Sequence, residues 1–157
     1  MNTTIWTTAL ACAAMGGIYF AFSSFVMTSL AAIPRPQGIA AMQSINRVIV
    51  SSWFIVLFFG TTLASLGLGV WGATRWSSAG AGLLVAGGLV YVLGMFVCTA
   101  AFNVPLNNAL DAVDPASSAA AEVWSRYLRD WTRYNHLRTL CSVAASGLFI
   151  AAAWMGR

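Results

Sequence analysis

Of 157 residues, 59% are hydrophobic and 8% charged, and the mean hydropathy is +0.77, against about 45–50% apolar and about 25% charged in an ordinary soluble domain. Eight arginines and four acids, with no lysine, are too few charges to cover a soluble surface, and the net charge of +4 is scattered among aromatics rather than gathered into a basic face for nucleic acid. Composition excludes a soluble fold and leaves an all-α integral membrane protein.

Between consecutive ionisable residues the chain has charge-free stretches at 1–34, 36–46, 48–74, 76–110 and 139–156, four of them long enough for the roughly 20 apolar residues of a spanning helix. The opening MNTTIW has no positive n-region, and the apolar run after it outlasts a signal-peptide core, so a retained first span is expected over about 4–32, ending before Pro34 and Pro36. IPRPQG is expected as a loop. A second helix restarts near Gly38 and runs unbroken to about Gly72, its membrane part at about 47–73. After a turn, a third span covers about 79–101, with Pro105 marking its exit.

The segment 106–139 holds all four acids and four of the eight arginines. Asp114 before Pro115 reads as an N-cap with proline at the first helical position. An amphipathic helical segment is expected over about 115–136, continuing into a fourth span at 137–155. A helix from Pro115 to Trp154 would be about 60 Å long, twice the hydrocarbon thickness, so it projects or bends. Gly16, Gly17, Gly67, Gly69, Gly87 and Gly88 let backbones approach in lipid, so the single domain 1–157 is read as a tight antiparallel four-helix bundle with a polar, partly helical segment between the third and fourth spans. These glycines have no preceding strand and no following GK[ST], so no phosphate loop is read. Cys12, Cys98 and Cys141 stand singly and read as buried thiols.

Four spans put the first and third connections on one side of the membrane. That topology gathers Gln43, Asn46 and Arg47, then Asn103, Asn107 and Asn108, then Asn135, His136, Arg138 and Thr139. Amide and ionisable side chains near membrane depth are costly and mark sites by default, although arginines and aromatics also serve as headgroup anchors. Trp124, Tyr127, Leu128, Trp131, Asn135 and Arg138 form one helical stripe, either packing or a cradle for a flat polycyclic ligand. Tyr19, Ser23 and Ser24 add hydroxyls to the first span.

One histidine and four acids, all the acids outside the spans, do not make a protein-ligated metal site. Haem survives the count, with His136 as axial ligand and Arg47 or Arg138 facing propionates. No GxSxG or other nucleophile arrangement occurs. Loops 33–47 and 102–138 carry most of the arginines, and the positive-inside rule places them in the cytoplasm, with the protein in the cell (inner) membrane. Four helices without internal symmetry make a poor transporter unless they form a homo-oligomer.

GIAAMQSINR, FNVPLNNALDAVDP and WSRYLRDWTRYNHLRT, together with GGIYFAFSSFVMTSL in the first span, resemble the anthrone oxygenase-like family of small membrane proteins, many bacterial members of which carry a domain of unknown function. The resemblance runs over about 14–145. It implies a four-helix membrane protein in which polyketide-pathway members oxidise anthrones to anthraquinones with dioxygen. It draws attention to Asn46, Arg47, Asn103, Pro105, Asn107, Trp131, Asn135, His136 and Arg138. On this basis His136 is expected to remove the acidic ring proton, with Arg47 and Arg138 stabilising oxyanions. Asn46, Asn103, Asn107 and Asn135 would orient the oxygens, and Tyr19, Trp124, Tyr127 and Trp131 would hold the rings. Dioxygen is then a co-substrate, no cofactor is required, and the partners are membrane lipid and a small aromatic molecule. The alternative is a non-catalytic membrane protein binding haem, a quinone or lipid in the same pocket.

Overall fold

The computed structural model describes residues 2–156, and all regular structure among them is helical. Five helices follow in order: α1 (Asn2–Ala32), α2 (Arg35–Ile49), α3 (Trp53–Thr74), α4 (Ala81–Asp111) and α5 (Ala120–Met155). Four of them, α1, α3, α4 and α5, are long and apolar enough to cross a membrane. The protein is a multi-pass membrane protein built as an all-α bundle.

Three local expectations are corrected. The loop between α1 and α2 shrinks to Ile33–Pro34, because Pro36 is accommodated in the first turn of α2, where its missing N–H costs nothing. The second helix is not continuous: Val50–Ser52 interrupts it. There the Ser51 and Ser52 hydroxyls donate back to the Val48 and Ile49 carbonyls, and Ser52 Oγ accepts from the Phe54 N–H as the N-cap of α3. The helix expected from Pro115 begins only at Ala120. Asp114 Oδ1 accepts from Ala116 N–H, and Ser117 Oγ accepts from Ala120 N–H, so the polar side chains cap successive turns and delay the helix.

At about 1.5 Å per residue, the 31 residues of α1, the 31 of α4 and the 36 of α5 all exceed a hydrocarbon layer of about 30 Å. They project on the α2 side, and two hydrophobic cores result. The membrane core gathers Cys12, Met15, Tyr19, Phe58, Leu84, Tyr91, Met95 and Phe149. The second core, around α2, gathers Met27, Ile39, Met42, Leu106, Leu110, Trp124, Tyr127 and Trp131. Gln43 ties this second core together: its Nε2 donates to the Leu110 and Val113 carbonyls at 2.8 and 3.0 Å, satisfying acceptors left open where α4 ends. An exposed Arg47–Asp111 ion pair at 2.7 Å adds a second, weaker tie between α2 and α4.

Within the membrane, α1 packs along α5, α5 along α4, and α4 along α3. The α3–α4 contact is backbone on backbone. A Cβ on Gly88 would sit 2.7 Å from the Ser65 carbonyl oxygen and 3.0 Å from the Gly69 Cα, which only glycine permits. Gly80, in the left-handed region at φ 81°, makes the turn into α4 directly over the Ala152 backbone.

Candidate functional site

The 22 residues of α3 are about 33 Å long and match the hydrocarbon layer, with Trp53 at one end and Trp76 just past the other, both exposed as interfacial anchors. On α5, Arg138 lies 16 residues before Trp154, about 24 Å along the axis, and so inside the membrane near its α2 side. It is 5% exposed. A guanidinium there is always charged and costly to bury unless it is paired.

Its surroundings hold it without neutralising it. Arg138 Nη2 donates to Asn135 Oδ1 at 2.7 Å and Nη1 to Thr99 Oγ1 at 3.4 Å, and the guanidinium carbon lies 4.4 Å from the Tyr19 ring centroid and 5.0 Å from that of Trp131. Its Nε has no hydrogen-bond partner, and the ion pairs among the described residues all lie elsewhere. The cation is oriented by neutral groups and aromatic faces but has no counter-charge among the described residues.

Asn135 is the hinge of this arrangement. Its Nδ2 donates to the Tyr19 carbonyl and to Ser23 Oγ, each at 2.7 Å, while its Oδ1 receives Arg138. The Tyr19 carbonyl lies beside a π-helical turn, Phe22–Val26, in which the Met27 N–H reaches back five residues to Phe22. Further π turns occur at Val92–Val97 and Thr99–Asn103 in α4 and at Tyr127–Trp131 in α5. Asn103 Nδ2 serves the Trp131 carbonyl at 3.2 Å in the same way. Such turns are rare and cluster at functional sites, and Thr99 and Trp131, which meet Arg138, each belong to one of them. We expect Asn135→Ala to lower stability by about 2–4 kcal/mol, given about 1–3 kcal/mol for each buried polar group left unpaired, as read by thermal unfolding in detergent. Unchanged unfolding would show these bonds to be dispensable.

Arg138 reaches the wall of a cavity of about 320 Å³, the size of small-molecule sites. The lining is mostly apolar: Ile18 and Phe22 from α1, Met42, Ile45 and Ile49 from α2, Phe54, Phe58 and Phe59 from α3, Phe96 and Val104 from α4. Its polar groups are Tyr19, Asn46, Thr99, Asn107, Trp131 and Arg138. At the α2 end, the Tyr127 hydroxyl donates to Asn107 Oδ1 at 2.9 Å and accepts from Asn46 Nδ2 at 3.4 Å. An aromatic stack, Trp124 on Tyr127 on Trp131 with centroids 5.8 and 5.6 Å apart, backs the wall. The lining is an apolar chamber with Arg138, Thr99, Asn46 and Asn107 among its hydrogen-bonding groups.

Residues 51–148 match the family model for anthrone oxygenase. The chain belongs to the anthrone oxygenase family. No curated protein and no solved structure matches it. The segment shared with anthrone oxygenases contains α3, α4 and most of α5, and with them Thr99, Asn103, Asn107, Trp131, Asn135 and Arg138. Tyr19 and Asn46, which complete the cavity from α1 and α2, lie outside it.

The residues singled out from the sequence fall into three groups. Tyr19, Asn46, Asn107, Trp131 and Arg138 line the cavity together. Asn103, Trp124, Tyr127 and Asn135 are buried just behind it and hold its walls. His136 and Arg47 are not brought to it: His136 is exposed on the face of α5 away from Arg138, and Arg47 is exposed and paired with Asp111. On a helix, adjacent residues point about 100° apart, so His136 and Arg138 do not share a face. The sequence reading missed Thr99 and the phenylalanines Phe22, Phe54, Phe58 and Phe96. Thr99 was detectable as a polar residue inside an apolar run, whereas the phenylalanines are indistinguishable in sequence from lipid-facing residues.

Proposed function

We propose that the protein is a membrane oxygenase that converts a phenolic, anthrone-like polycycle to its quinone, with dioxygen as co-substrate and no resident cofactor. The observation that carries this reading is Arg138: a permanent cation, buried at the wall of an apolar cavity, with no counter-ion among the described residues. A substrate that develops negative charge on an oxygen completes it.

An anthrone loses a proton from the carbon between its rings, and the electron pair spreads onto the ketone oxygen. Arg138 stabilises that oxyanion, with Thr99 beside it and Asn46 and Asn107 at the other end of the cavity within reach of ring oxygens. The carbanion gives one electron to dioxygen, and the resulting radical pair joins to form a carbon–oxygen bond. The peroxide O–O bond then breaks as the second ring hydrogen leaves as a proton. One oxygen stays as the new carbonyl and the other departs as water, so each dioxygen yields one quinone. Among the described residues no carboxylate or imidazole lines the cavity, so the first proton passes to water at the α2 end, where Asn46 and Asn107 are half-buried, and Arg138 supplies the driving force.

His136 has no part in this reading. Its variant His136→Ala is expected to keep oxygen uptake within about threefold of the parent, the scale of an exposed substitution. A loss of about 10²-fold would restore it as the general base. A haem held by His136 does not fit the cavity either, since the imidazole lies outside it. We place the α2 side in the cytoplasm, because Arg35, Arg47, Arg126, Arg129 and Arg133 are exposed there, against Arg75 at the other end. The test of function is oxygen uptake with anthrone by the purified protein in phosphatidylcholine vesicles, with the product identified by mass spectrometry. Stoichiometric quinone above the protein-free rate is expected. Binding of anthrone without turnover would make this a binding protein.

A further inference from the structure

The cavity has two boundaries of different character. Towards water it is roofed by α2: Met42 is 1% exposed, and the Asn46–Tyr127–Asn107 hydrogen bonds close the space behind it. Towards lipid it is open. Two lining residues on α3 and α4 are also surface residues, Phe59 at 48% and Val104 at 41% exposed, and Ala100, one turn before Val104, is exposed as well. Phe59 is six residues into α3 from Trp53, about 9 Å below the interface, so this opening faces acyl chains.

The opening has a cause in the sequence. At the far end, α3 and α4 touch through Gly69 and Gly88, where a Cβ on Gly69 would lie 3.5 Å from the Gly88 Cα. At the near end, phenylalanines stand between the same helices, with Phe58 and Phe59 at 5.7 and 6.1 Å from Phe96, centroid to centroid. Glycine at one end and phenylalanine at the other splay the pair into a V whose open arms bound the cavity.

We propose that the cavity is loaded sideways from the bilayer through this α3–α4 gap, and that its substrate is therefore a neutral phenolic polycycle dissolved in the membrane. This deepens the oxygenase reading and rests on it for the chemistry only. The neutral form crosses the apolar gap and ionises beside Arg138. The ion is then retained, because the way out is lined by Phe59, Ala100 and Val104. The quinone product is uncharged and returns to the lipid by the same gap.

The test uses a neutral anthracene carrying a photoreactive diazirine, dissolved in vesicles that contain the full chain, with labelled residues mapped by mass spectrometry. The parent protein should be labelled on the cavity walls, at Phe22, Ile45 and Trp131, in proportion to the mole fraction of probe in the bilayer. Ala100→Phe, which adds bulk at an exposed position in the gap, should lower wall labelling at least about tenfold. The lipid-facing Leu63 and Leu93 should keep theirs as an internal control. Labelling confined to lipid-facing residues in the parent, or wall labelling that Ala100→Phe leaves unchanged, would overturn the proposal. So would equal wall labelling by a phospholipid-borne diazirine that the anthracene does not compete away, which would identify the occupant as an acyl chain. Wall labelling that behaves as expected, in a protein that oxidises no anthrone, would uphold the gap and remove the oxygenase reading.

Discussion

Arg138→Met is expected to slow anthrone oxidation by about 10²–10³-fold, the cost of removing one oriented donor to a developing oxyanion, while leaving the fold as stable as before or more so. The two halves of that expectation come from the same geometry. In the parent the guanidinium is 5% exposed, its Nε is unpaired, and no carboxylate among the described residues pairs with it. Releasing such a charge from burial is worth several kcal/mol. Against this stand the bond to Asn135 Oδ1 at 2.7 Å, about 1–3 kcal/mol for a charge-assisted bond, and the faces of Tyr19 and Trp131, about 0.5–2 kcal/mol together. These terms leave a net effect near zero or favourable to the variant. A residue kept for packing alone would show the opposite, a loss of stability with activity falling in proportion. Arg138→Lys should recover part of the rate, because a point charge replaces the planar fork that Asn135 and Thr99 now orient. Oxygen uptake and thermal unfolding on the same samples separate these cases.

Gly88→Leu is expected to damage the fold severely. The Cβ alone would lie 2.7 Å from the Ser65 carbonyl oxygen and 3.0 Å from the Gly69 Cα, and these are backbone atoms that no rotamer change can move. The helices must separate where lipid offers no hydrophobic drive to hold them, at a cost of about 3 kcal/mol or more, the upper range for overpacking. Gly67→Leu, at an α3 glycine with open space around its Cβ, should stay within about 0.5 kcal/mol of the parent. Because the Gly69–Gly88 contact is the closed end of the α3–α4 V, Gly88→Leu should also alter the cavity and lower anthrone turnover beyond its effect on folded yield. Equal stability of the two glycine variants would mean that the close approach is not needed.

The architecture was legible because its signals are long-range in sequence and chemically blunt. Charge-free runs gave the four spanning helices, and the i, i+3, i+4, i+7 spacing of Trp124, Tyr127, Leu128, Trp131, Asn135 and Arg138 gave the inward stripe of α5, all of which is buried or half-buried. What failed was local. Ser51 and Ser52 break a helix that hydropathy carries straight through, and Asp114 caps a separate turn, so that the helix expected from Pro115 starts only at Ala120. The site was half legible for a related reason. Residue type pointed to Arg138 and His136 alike, but only the phase of α5 decides that Arg138 turns in and His136 turns out. The π turns, which bring Asn135 to the Tyr19 carbonyl and Asn103 to that of Trp131, leave no signature in composition or spacing.

The central claim is that Arg138 meets an oxyanion, and it is tested most directly by the spectrum of bound anthrone under argon, where ionisation proceeds and oxidation cannot. In the parent protein the bound molecule should absorb as its anion at a pH where free anthrone in lipid remains neutral, and in Arg138→Met it should bind as the neutral form. Neutral anthrone in the parent, or the anion in both proteins, would contradict the account.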